Sequence, residues 1–139
     1  IFEDCKKYLV GAQKSADWLL TDIYDAEAWG PVYNDVPFYR LCRKALRDGG
    51  VSSYNVFGGE DFTKSLDAIS EAFNGQVLVM PEVAEGNRII LAKNGPKETY
   101  PAELLDQRAA ELTASRKIPA KKLLKMLRKE NNFKGDIVF

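Results

Sequence analysis

Apolar positions recur along this chain at two different periods, and the change from one to the other divides it. Cys5, Leu9, Ala12, Ala16, Leu19 and Ile23 follow one another at alternating intervals of four and three. That is the one-sided stripe of an amphipathic helix, and the spacing predicts one long helix over residues 3–28. Trp29-Gly30-Pro31 closes it, because proline forces its predecessor out of the helical region. Pro37 then suits a first helical turn, and Phe38, Leu41, Cys42, Ala45 and Leu46 repeat on one face until Gly49-Gly50, which predicts a second helix.

From Val51 the texture becomes strand-like up to Phe57, and Phe62, Leu66, Ile69 and Phe73 restore the helical period. Asn74-Gly75 is a strong turn signal that hands over to residues 76–80, and residues 87–92 follow, so these two runs predict an antiparallel hairpin. Pro101 and Pro119 each open a further helix, the second running to about Asn131. Residues 136–139 predict either a last short strand or the beginning of a truncated element. No internal repeat or low-complexity tract interrupts this order.

Read together, these elements predict an α+β fold: a helical N-terminal extension of two helices (1–50) packed on a split-βαβ, ferredoxin-like sandwich (51–139). The rival is a winged-helix-like helical domain in which residues 76–92 form the wing. A chain of 139 residues is expected to be a single domain. It opens Ile1-Phe2 without an initiator methionine, so it reads as a piece of a longer polypeptide.

Composition adds mainly exclusions. The chain is 45% hydrophobic and 29% charged, enough apolar surface for a packed core. No apolar run approaches the roughly 20 residues that span a bilayer, so no membrane association is expected. Histidine is absent, which removes Ser/His/Asp triads, imidazole acid/base catalysis and His-ligated zinc. Cys5 and Cys42 lack metal-ligand spacing and are expected to be free thiols in a reducing, intracellular (cytoplasmic or nuclear) compartment.

Charge is neutral overall but segregated: residues 107–139 hold nine Lys and Arg against three Asp and Glu. On a helical projection Lys121, Lys122, Lys125, Arg128 and Lys129 fall within about 120°, opposite Leu123, Leu124, Met126 and Leu127. A lysine stripe suits a phosphate backbone, which needs charge more than shaped recognition. The plainer alternative is a solvated face complementing the acidic half of the molecule. The expected function is a non-catalytic nucleic-acid-binding module using these five residues, with no cofactor. Second stands a protein-interaction or regulatory domain whose partner is another protein domain, with the aromatics Tyr24, Trp29, Tyr33, Phe38 and Tyr39 as its surface unless they are simply core.

Third stands a metal-dependent phosphoryl-transfer or nuclease centre. Asp22 and Asp25, three apart on the first predicted helix, would share the ion, and Glu82, Glu85 and Lys93 would complete the site. An exposed acidic helix face is the commoner meaning of such spacing. Gly58-Gly59 ahead of a helix resembles an anion cradle, but Glu60 and Asp61 already occupy that positive helix end, so capping is the better reading.

Overall fold

The structure, a computed structural model, describes residues 4–24, 31–57, 60–84 and 86–139. Asp25, Glu27, Trp29-Gly30, Gly58-Gly59 and Glu85 therefore lie outside the described residues, as do the side chains of Glu60 and Asp61.

Asp4 starts the first helix, its carboxylate accepting a hydrogen bond from the Lys7 amide at 3.0 Å. This helix, α1 (Cys5–Gly11), buries Leu9 but runs only seven residues. Lys14 takes a φ of 44°, a left-handed turn that no helix continues through, and the chain leaves it as β1 (Ala16–Thr21). The single helix expected over residues 3–28 is thus a helix, a turn and a strand. Cys5, Ala16, Leu19 and Ile23 pack against the core all the same, while Trp18 and Leu20 stay exposed. Helix and strand leave the same residues outside here, so the spacing could not separate them.

Asp35 caps α2 (Val36–Ala45), accepting from the Phe38 amide, with Pro37 in the first turn. Next come β2 (Leu46–Phe57), α3 (Glu60–Ala72), β3 (Val77–Val79) and β4 (Asn87–Lys93). The strands form one sheet in the order β1-β2-β4-β3, in which β1 runs parallel to β2 and the other neighbours are antiparallel. On β2 the side chains alternate strictly: Ser52, Tyr54 and Val56 are buried, and Ser53, Asn55 and Phe57 half-buried, as the two-residue period of a strand requires. Phe38, Cys42, Leu46, Tyr54, Ile69, Phe73 and Ile90 make the core beneath α2 and α3. Tyr33, Phe38, Tyr39, Tyr54 and Phe73 stack through it in a continuous aromatic chain, so Tyr33, Phe38 and Tyr39 belong to the interior.

The β2-α3-β3-β4 unit has split-βαβ connectivity, with β4 inserted between β2 and β3. The ferredoxin-like arrangement needs a C-terminal strand beside β2, and here the correction is topological. Ile137–Val138 (β6) pairs with Thr99–Tyr100 (β5) in a separate two-stranded ribbon, and β1 fills the place beside β2. The sheet thus draws on both sides of residue 50, and residues 1–50 are not a helical extension. Nor is residues 76–92 a wing, since β4 is an interior strand. Lys93 joins the ribbon to the sheet: its buried ammonium donates to the carbonyls of Pro96 and Phe139 and meets Glu98 at 2.7 Å.

Between β5 and β6 the chain forms a hairpin of α4 (Ala102–Arg116) and α5 (Ala120–Glu130). It docks on the open edge of β3 through Asn131. Val79 donates to Asn131 Oδ1 at 3.0 Å, and Asn131 Nδ2 donates back to the Val79 carbonyl at 2.8 Å. Met80 and Gln76 bond across to β4, so the alternation of an antiparallel pair turns the Val79 backbone outward. Asn131 thereby stands in for one residue of a missing strand. Among the described residues no helix is long and apolar enough to cross a membrane.

Candidate functional site

Parallel strands present their carboxyl ends together, and ligands in open α/β sheets bind beyond those ends. Here β1 and β2 are the parallel pair. The register Thr21↔Tyr54 places Asp22 beside Asn55, and β4 brings Asn87 opposite Phe57 at the same end. Three polar side chains far apart in sequence become a ladder: Asn87 Nδ2 donates to Asn55 Oδ1 at 3.0 Å, and Asn55 Nδ2 donates to Asp22 Oδ1 at 3.1 Å. Among the described residues none donates to the other Asp22 oxygen, and Asp22 is exposed. Tyr24 braces the ladder by donating to the Asn55 carbonyl at 3.0 Å, its ring edge-on to Phe57 at 4.9 Å. Burial and then the Asp22 charge hold the Tyr24 phenol above its ordinary pKa, so it stays a neutral donor at physiological pH.

These groups open into a cleft of about 570 Å³. Its polar side is Asp22, Asn55 and Asn87, and the rest is apolar: Met80, Pro81, Val83 and Ile89 from the sheet side, Leu123 and Met126 from α5. One carboxylate at the end of an apolar trough suits a cation on an aliphatic stem.

Asp22 was therefore singled out by the sequence for a different chemistry. No group of three or more metal-ligating side chains assembles among the described residues. Lys93 lies opposite Val51, at the far end of β4 from Asn87, so it does not join Asp22, and Asp25 and Glu85 of the expected set lie outside the described residues. Asn55 and Asn87 were missed. The one available signal was Asp22 itself, a carboxylate two residues after the apolar run Trp18-Leu19-Leu20, and the helical spacing hid that strand.

The basic residues lie elsewhere. Lys121, Lys125, Arg128 and Lys129 line a groove between α4 and α5 with Asp106, Ala110 and Phe133, while Lys122 is exposed outside it. Arg128 is committed to the fold, donating to Asp106 and to the Ala102 carbonyl. The lysines are solvated, with the apolar residues Leu124, Met126 and Leu127 turned inward.

No known family profile matches the chain. Over 134 residues, 95% of its length, it is 27% identical to polyamine aminopropyltransferases from Neisseria meningitidis of serogroups A and B. The chain spans about half the length of these curated relatives, 51%. Among solved structures, a probable spermidine synthase from Corynebacterium glutamicum matches with a TM-score of 0.55 and 21% identity over 66% of this chain and 36% of its own. The spermidine synthase from Thermotoga maritima matches with a TM-score of 0.52 and 18% identity over 68% and 33%. These relatives are enzymes of small amines, which overturns the expected non-catalytic nucleic-acid-binding module and its nucleic-acid or protein-domain partner. Neutral charge was the warning: a stripe of solvated lysines on one helix does not make a polyanion-binding field. What the structural likeness establishes is the fold, shared over about two thirds of this chain with part of the spermidine synthases.

Proposed function

We propose that this chain is the amine-binding part of an aminopropyltransferase acting on polyamines. The observation that carries the reading is Asp22, an exposed carboxylate held by Asn55 at the carboxyl end of β1, on the polar side of a largely apolar cleft. An aliphatic amine, like a lysine side chain, is an ammonium at neutral pH, and among the described residues Asp22 is the charged group lining the cleft that is able to receive it. Spermidine is 1,4-diaminobutane bearing one aminopropyl group, so the acceptor of such a transfer is a diamine. In the transfer the ammonium first gives one proton to Asp22 or to water, and the freed lone pair attacks the terminal carbon of the aminopropyl donor. The new N–C bond forms as the bond to the leaving group breaks, and the secondary amine leaves as an ammonium with the two protons it kept. With histidine absent, a carboxylate is the natural acceptor for that proton. An intracellular setting accompanies this reading, as Cys5 and Cys42 are both free thiols.

Binding is the direct test, because it does not require the donor. Isothermal titration with 1,4-diaminobutane and with spermidine should show saturable binding, weakened about ten- to hundredfold in Asp22→Asn, the worth of one hydrogen bond to a charged group. Absence of binding at millimolar amine, or equal binding by Asp22→Asn, would refute the reading.

A further inference from the structure

The apolar half of the cleft is built by an element remote from the parallel strands, and its placement is specific. Helix α5 is pinned at its C-terminal end: Asn131 takes both backbone groups of Val79, and Glu130 pairs with Arg88, whose guanidinium also lies 3.9 Å over the Phe62 ring. Leu123 and Met126 are three apart and so share a helix face. That face lines the cleft opposite Met80 and Ile89. Leu123 is 41% exposed, an apolar side chain left in water at the wall of an open trough. Asp22 is the sole carboxylate lining the cleft among the described residues, and from an ammonium seated on it an aliphatic tail would run along α5.

We infer that Leu123 and Met126 are the specificity determinants of this cleft, selecting amines by the length of the methylene chain attached to the ammonium. This rests on the amine reading above and assigns its two halves to different residues. Asp22 sets a head-group contribution common to every amine, and α5 sets the gain per methylene. Full burial of one methylene raises affinity about fourfold, and a one-sided wall delivers part of that.

A series of linear monoamines from ethylamine to hexylamine, titrated into the full chain, separates the two. The wild-type protein should bind about two- to fourfold more tightly for each added methylene. Leu123→Ala with Met126→Ala should bind ethylamine as the wild type does and lose most of the slope. Asp22→Asn should weaken every amine by the same factor and keep the slope. If the double variant does not fold, Leu123→Gln serves, since that side chain is partly exposed to water; it should flatten the slope about half as far. A slope unchanged in the folded wall variants, with Asp22→Asn still weakened, overturns this inference and leaves the amine reading standing. No binding of any amine by the wild type overturns both.

Discussion

Removing the Asn131 side chain tests how the C-terminal hairpin is held. In Asn131→Ala three hydrogen bonds disappear: the two to Val79 and one from Nδ2 to the Leu127 carbonyl at 2.8 Å. Each is worth about 0.5–1.5 kcal/mol net. All three are only partly buried, so water replaces some of what is lost, and a total near 2 kcal/mol follows. The loss should fall on docking of α5 against β3 more than on the whole sheet, because the hydrogen bonds of the Asn131 side chain go to β3 and α5. Native-state amide exchange resolves the two. The Val79 amide should exchange about thirtyfold faster, the equivalent of 2 kcal/mol, with Ile90 and Ala92 on β4 little changed. The α5 amides should lose protection together with Val79. A change below about threefold at Val79 would refute the reasoning that a side chain is serving as the edge partner of β3. Asn131→Asp should not rescue, since a carboxylate cannot donate to the Val79 carbonyl.

Three further outcomes follow from the packing. Ile69→Ala, at a fully buried core position, should cost about 2–5 kcal/mol in urea denaturation, whereas Leu19→Ala, half-buried on an edge strand, should cost about 1–2 kcal/mol. Burial pushes the Cys42 thiol up to about 12, so a thiol reagent at pH 8 should label the half-buried Cys5 first and reach Cys42 only through opening. Hydrogen bonds from Lys93, then from the Tyr100 hydroxyl, hold the Glu98 carboxyl below its ordinary 4.5. The stability it contributes is complete above that value and lost as pH falls through the lower folded one. Acid denaturation profiles should therefore be shallower below about pH 4.5 in Glu98→Gln than in the wild type.

Local periodicity was sufficient for the elements whose geometry is local. The stripe Phe62, Leu66, Ile69, Phe73 is α3, the Asn74-Gly75 turn leads into β3 paired with β4, and Pro101 and Pro119 precede α4 and α5, each within a residue or two of its place. The absence of histidine and the free thiols were equally legible, because they need no folding. The N-terminal stretch was not legible. From Cys5 to Ile23 the same side chains face inward in a helix and in the observed helix-turn-strand, and only pairing with β2, some 30 residues away, favours the strand at Ala16–Thr21. That pairing is a tertiary event without a local mark. It also decided the topology, since a parallel neighbour for β2 displaced the C-terminal strand that a ferredoxin-like sandwich requires. The candidate site is tertiary for the same reason: Asp22, Asn55 and Asn87 lie about 30 residues apart and meet only because β1 and β2 end where β4 begins, and Leu123 joins them only because Asn131 fastens α5 to the edge of β3. The basic stripe shows the converse. It could be read from five residues of one helix, and the fold left its lysines in solvent, because a helix's own sequence determines which side chains share a face while the rest of the chain determines what that face meets.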